Sequence, residues 1–108
     1  MKVSELKEKM GLRAFAMGSS ELEVSGGYCG DLLSWVMGRA EEGSAWLTIM
    51  SNQNVAAVAV MAETSCIILT EGVEPDPQLL ERAEKEGLNL LGTDLSTYQA
   101  AAELSRLI

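Results

Sequence analysis

The chain has 108 residues, enough for one domain whose single core buries about two-thirds of the unfolded surface. Sixteen acidic residues against eight scattered basic ones give a net charge of −8, which excludes nucleic acid and anionic membrane surfaces as partners. Histidine is absent, which excludes Ser-His-Asp and Cys-His nucleophiles and any His-based metal site; zinc would need two ligands beyond Cys29 and Cys66.

An apolar fraction of 47% with two prolines reads as globular. The longest apolar run, Val55 to Ala62, has eight residues, far short of the ~20 that span a bilayer. The chain starts directly in a charged amphipathic segment, so no secretory signal is expected and the expected location is cytoplasmic. In that compartment Cys29 and Cys66 should be reduced thiols in or near the core.

In chain order, Ser4 to Met10 reads as a short amphipathic helix stopped by Gly11. Leu12 to Met17 is a first strand, and the alternation of Glu21 to Val24 suggests a short edge strand. Gly26 to Gly30 is too glycine-rich to predict an element. Asp31 is placed to cap a helix from Leu32 to about Gly38. Ala45 to Met50 is the next strand, followed by the polar turn Ser51-Asn52-Gln53-Asn54. Asn54 should cap a helix over Val55 to Ala62, apolar on every side and therefore sandwiched rather than exposed.

Cys66 to Leu69 has the look of a central parallel strand, ending in Thr70-Glu71-Gly72. Asp76-Pro77 supplies an N-cap and a first-turn residue that needs no donor. Leu79, Leu80 and Ala83 form the apolar face of the helix that follows, closed by Gly87. Leu88 to Gly92 is the last strand, and Ser96-Thr97-Tyr98-Gln99 makes a capping box for a final helix through Leu107. Three strand–turn–helix units in succession imply right-handed crossovers and a three-layer α/β/α fold with a mostly parallel sheet.

That topology puts three polar turns on one sheet edge, where open α/β folds place ligands. The candidate ligand-binding residues are Ser51, Asn52, Gln53 and Asn54, then Thr70, Glu71 and Gly72, then Thr93, Asp94 and Thr97. Tyr28, Trp35 and Met37 are the candidate interface residues, while Met37, Met50 and Met61 otherwise read as core filler. Phosphate-loop and dinucleotide fingerprints are absent, so no nucleotide-driven catalysis is expected. Glu71 and Asp94 at neighbouring strand ends are the one pair able to divide acid and base roles.

The strand Cys66–Leu69 ending in Thr70-Glu71-Gly72-Val73-Glu74-Pro75, the Leu79-Leu80…Ala83 helix, the Leu88–Gly92 strand and Thr97 together resemble a known pattern. It is that of the DRTGG domain and the N-terminal domain of HPr kinase/phosphorylase, best over Trp46 to Leu107. The name-giving Asp-Arg motif is missing, and Ser51-Asn52-Gln53-Asn54 occupies its turn. The resemblance implies an HPr kinase N-terminal-domain-like fold and a non-catalytic regulatory or ligand-binding role, with self-association as a homodimer and no cofactor. The ligand expected is a small polar metabolite or nucleotide. The alternative is a protein-interaction subunit docking on a redox enzyme, such as an iron hydrogenase, or on a sensor kinase.

Overall fold

In the computed structural model, which describes every residue from Met1 to Ile108, α1 (Val3–Met10) leads into β1 (Arg13–Met17). Four strand–helix pairs follow: β2 (Gly26–Cys29) and α2 (Leu33–Arg39), β3 (Ser44–Thr48) and α3 (Asn54–Ala62), β4 (Cys66–Leu69) and α4 (Pro77–Glu86), β5 (Asn89–Gly92) and α5 (Thr97–Leu107). The strands form one sheet in the order β1-β5-β4-β3-β2. β2 to β5 run parallel, and β1 is antiparallel to β5 with a register shift between Ala14 and Ala16.

Side chains alternate across the sheet, which builds two cores. Ala45, Leu47, Cys66, Ile68 and Leu91 face Val3 and Leu6 of α1 and Ala100 and Leu104 of α5. Trp46, Ile67, Leu69 and Leu90 face Val36 of α2, Val55 and Ala59 of α3, and Leu79 and Ala83 of α4. Every residue of β3, β4 and β5 is buried, as expected of parallel strands covered on both faces. The three-layer α/β/α architecture is therefore as expected. No helix is long and apolar enough to cross a membrane.

Several local expectations are corrected. Glu21 to Val24 is not a strand; Glu23 makes only an isolated bridge to Lys2. Gly26 to Cys29 is a strand despite its glycines, because β3 supplies a full parallel partner from Ser44 to Leu47. Asp31 does not cap α2. Leu32 occupies that position, and the Asp31 carboxylate instead accepts from the Thr48 hydroxyl at 2.8 Å and the Ile49 N–H at 3.0 Å. Asn54 is the first residue of α3 rather than its cap, and its N–H donates to Asn52 Oδ1 at 2.9 Å.

α3 is not sandwiched. It lies between α2 and α4 in a single layer, so its outer side faces solvent, with Met61 66% and Val60 43% exposed. Met37 is exposed as well, and Met50 is half-buried against the core, so only Met50 serves as filler. Cys66 is buried but Cys29 is exposed.

The better-read elements have identifiable stops and starts. α4 begins with Asp76 in extended backbone and Pro77 in its first turn, and ends at Gly87 with φ +68°. α5 carries the full capping box: Ser96 Oγ accepts from the Gln99 N–H at 3.1 Å, and Gln99 Oε1 accepts from the Ser96 N–H at 3.1 Å.

Candidate functional site

Because β2, β3, β4 and β5 are parallel neighbours, the loops that follow them lie in one row along the sheet's carboxyl edge. Antiparallel β1 starts at that edge with Arg13, which is paired with Gly92. The structure thus brings the Ser51–Asn54, Thr70–Gly72 and Thr93–Thr97 segments together on one side of the molecule.

The centre of the row is the turn after β4. Glu71 and Gly72 both have positive φ, +61° and +73°, and the Val73 N–H returns to the Thr70 carbonyl at 3.1 Å. Positive φ at both central positions is the signature of a type I′ turn, in which glutamate is a poor fit. The contacts explain its presence: Glu71 Oε2 accepts from the Thr97 N–H at 3.1 Å, placing a carboxylate on the first turn of α5. The Glu71 and Gly72 N–H groups donate to the carbonyls of Leu95, at 2.8 Å, and Thr93, at 2.9 Å. A Cβ on Gly72 would stand 3.3 Å from Asp94 Oδ1, so this position needs glycine for its backbone and leaves little room beside it. Beneath the turn, the hydroxyls of fully buried Thr70 and of Thr97 share a hydrogen bond of 2.6 Å.

The rest of the edge is tied in the same way. Asp31 joins the β2 loop to the β3 loop through Thr48 and Ile49. Ser51 joins the β3 loop to the β4 loop: its hydroxyl donates to Asp76 Oδ1 at 3.3 Å, and its carbonyl accepts from the Asp76 N–H at 3.0 Å. Arg13 Nη1 donates to Asp94 Oδ1 at 3.0 Å and closes the row at β1. Thr93 turns inward, and its hydroxyl accepts from the Leu95 N–H at 3.2 Å. Of the ten candidate ligand residues, only the side chains of Gln53 and Asn54 lie exposed with no hydrogen bond inside the chain.

This edge is a cross-tied polar surface rather than a cleft. The cavities lie elsewhere: one of about 430 Å³ runs between β2 and α5, beside Gly27, Cys29, Leu104 and Ile108. Another, of about 360 Å³, opens at the opposite edge of the sheet beside Glu23, Glu42, Glu63 and Ser65. Glu71 and Asp94 are each already engaged, one on a backbone N–H and the other on a guanidinium, so they do not form a free acid–base pair.

Of the candidate interface residues, Tyr28 packs half-buried against the core beneath α2, α3 and α4, whereas Trp35 is 51% exposed under the guanidinium of Arg39, 3.7 Å from its ring centroid. Trp35 and Met37, two residues apart on α2, point to different sides of the helix. Asp31, Arg13 and Asp76 were missed as edge residues. Their partners lie 17 to 81 positions away, and with β2 unpredicted nothing local marked Asp31 as more than a helix cap.

Comparison with known proteins agrees with this fold. A family model for the DRTGG domain matches residues 29–107. The chain also superposes on the crystal structure of the CBS and DRTGG domains of the regulatory region of Clostridium perfringens pyrophosphatase, complexed with the activator diadenosine tetraphosphate. The TM-score is 0.73 at 13% identity, over 95% of this chain and 45% of that one. This chain therefore spans less than half the length of the crystallised regulatory region. A comparison with curated proteins finds no match. With the family model spanning most of the sequence and the same fold in a solved DRTGG-containing region, the chain belongs to the DRTGG domain family.

Proposed function

We propose that this chain is a non-catalytic regulatory module that binds a small polar ligand on the carboxyl edge of its sheet. The observation carrying this reading is the cross-tied edge itself. Its hydroxyls and one oxygen of each carboxylate hold loops together, which leaves the amides of Gln53 and Asn54 and backbone groups as uncharged contacts for a ligand. The fold neighbour, part of a regulatory region crystallised with a nucleotide activator, supports the same class of role.

Charge narrows the ligand. Asp31, Glu71, Asp76 and Asp94 line the edge, and the cation at the end of the row, Arg13, is bound to Asp94. A bare polyphosphate would meet repulsion here, so recognition runs through the uncharged part of a nucleotide or metabolite, by amides and main-chain groups. A thermal-shift panel of nucleosides, nucleotides, sugar phosphates and amino acids tests this. A ligand at 100 times its Kd adds about 2.7 kcal/mol, a shift on the order of 10 °C for a domain of this size. Nucleosides should act at least as strongly as their phosphates, and Gln53→Ala with Asn54→Ala should abolish the response without lowering the unliganded Tm. Silence across the whole panel would refute ligand binding.

A second reading, a protein-interaction subunit, is favoured by the half-exposed Trp35. A redox enzyme or sensor kinase as its target predicts that Trp35→Ala ends co-purification while the circular dichroism is unchanged.

A further inference from the structure

β2 ends the sheet, and no strand pairs with its outer side. The Gly30 N–H bonds inward to the Leu47 carbonyl at 3.2 Å, so alternation along the strand turns the main-chain groups of Cys29 and Gly27 outward. Both residues are exposed. Glycine at 26 and 27 also leaves space on the two faces of this edge. On the α5 face, the cavity of about 430 Å³ lies beside Gly27 and Cys29, with Leu104 and Ile108 as its apolar wall. A Cβ at Gly27 would stand 2.7 Å from Leu104 Cδ2, so position 27 must stay bare and the cavity can be filled only from outside the strand. On the α2 face, a cavity of about 270 Å³ lies beside Gly26 and Tyr28, with Arg39 and Glu41 on its wall.

The ends of the edge are acidic. Ser25, just before β2, donates its hydroxyl to the Glu42 carbonyl at 2.7 Å, which holds Glu41 and Glu42 at that end. Neither carboxylate has an ion-pair partner in the chain. Asp31 follows Gly30 at the other end, and both hydrogen bonds that it accepts use Oδ1, leaving Oδ2 free. A net charge of −8 attracts a basic partner at longer range as well. Extended backbone satisfies the outward groups of β2, and its alternating side chains reach the two cavities. The face toward α5 calls for apolar side chains, the face toward Arg39 and Glu41 for uncharged polar ones, and each end for Lys or Arg. A second copy fits this edge poorly, since its β2 would bring two glycines to the cavities and carboxylates to both ends.

We propose that β2 accepts an extended, basic-ended segment of a different protein as a sixth strand of the sheet, with the segment's apolar side chains seated in the α5-face cavity. This surface is separate from Gln53 and Asn54 and from Trp35, so it does not rest on the ligand reading. Four residues make a short edge, which keeps the unoccupied strand from pairing indiscriminately and leaves selection to the cavity and the charges. Affinity is correspondingly modest.

The probe is the synthetic peptide acetyl-Arg-Thr-Leu-Thr-Leu-Thr-Arg-amide, which in antiparallel pairing sets its leucines opposite Gly27 and Cys29. Titrated into the isotope-labelled protein, it should shift the amide NMR signals of β2 with a Kd below ~1 mM. N-methylation of both leucines removes the two donors aimed at β2 and should weaken binding about tenfold or more. N-methylation of the central threonine, whose N–H faces away, should change it by less than about threefold. Ser105→Trp, at the exposed mouth of the cavity, and Glu41→Gln with Glu42→Gln should each weaken binding about fivefold while the Tm of the free protein holds. At ten times its Kd the probe should slow thiol labelling of Cys29 about tenfold. A Kd above ~1 mM, or signal shifts centred on α2 or the carboxyl edge, overturns the proposal. Equal affinity for the two methylated peptides overturns it as well, since charge alone would then account for binding.

Discussion

The chain has two tryptophans and two cysteines, and it places one of each at the centre of the sheet and one of each on the β2–α2 margin. Trp46 and Cys66 lie on adjacent parallel strands within the two cores, one facing each layer of helices. Trp35 and Cys29 belong to a four-residue edge strand and a seven-residue helix with a single buried side chain. The same residue types therefore do different things. At the centre they supply apolar contact for folding, and at the margin they remain available. Between the two, the carboxyl edge stitches each loop to the next with polar bonds, which makes the centre stiff and leaves the margin as the part able to respond to a partner.

The tryptophans give the largest contrast. Trp46→Ala should cost about 3–5 kcal/mol, a large share of a domain's total stability, through lost packing and a cavity between α2 and α3. It also leaves the Gly30 carbonyl without the indole N–H that donates to it at 2.9 Å. Trp35→Ala, measured on dilute monomer, should cost about 1 kcal/mol or less. Urea denaturation of both variants checks this, and comparable losses would show that the α2 margin is part of the core after all.

The cysteines give the next contrast. Burial pushes the Cys66 thiol up to about 12, partly offset by the adjacent Ser65 hydroxyl, against an ordinary value of 9.0. The fold holds the neutral form, so stability from this group is fully present below pH ~9 and is lost as pH rises toward 12, by about 4 kcal/mol at the end of that window. Cys66→Ala should flatten that part of the stability-against-pH curve. Cys29, shifted up less by partial burial and then by Asp31, should react with a thiol reagent at pH 8 in the folded protein while Cys66 waits for unfolding. Two thiols labelled at equal rates would erase the distinction between centre and margin.

How much of this was legible depended on whether the cause was local. The strand Cys66–Leu69, the Asp76-Pro77 start, the Gly87 stop and the Ser96–Gln99 capping box are written in adjacent residues, and each falls where expected. β2 was not readable, since the glycines of Gly26-Gly27-Tyr28-Cys29 outweigh the strand preference of Tyr28 and the segment owes its conformation to β3. The exposure of Val60 and Met61 was hidden for a related reason. A uniformly apolar helix does not say which of its sides a neighbour will leave open. At the candidate site, the gathering of loops followed from topology. Their mutual satisfaction did not, because Asp31–Thr48, Ser51–Asp76 and Arg13–Asp94 join residues far apart in sequence.

The carboxyl edge can be tested for the stiffness assigned to it. Thr70→Val leaves the Thr97 hydroxyl without its partner in a partly buried place and should cost about 1–3 kcal/mol. Adding Thr97→Val should recover part of that loss, since removing both polar groups is cheaper than stranding one. Glu71→Ala should cost about 1–2 kcal/mol, losing the carboxylate on α5 with the backbone strain at φ +61° unchanged from the wild type; Glu71→Gly should be milder because glycine relieves that strain and offsets part of the loss.

The smallest effect is expected at the opposite margin, where the comparison is most easily broken. β1 is also an edge strand, but it carries a register shift and the charged Arg13, devices that discourage pairing with another sheet; β2 has neither. Arg13 and Asp94 touch at 3.0 Å with side chains 44% and 82% exposed, so water screens the pair and both side chains lose rotamer freedom to hold it. A double-mutant cycle with Arg13→Ala and Asp94→Asn should give a coupling under about 1 kcal/mol that weakens further in 0.5 M salt, where the Debye length shrinks to ~4 Å. A coupling of 2 kcal/mol or more, insensitive to salt, would mean that the row of loops transmits the rigidity of the centre out to the β1 edge. The two margins would then differ in kind, with only the β2–α2 side free to move.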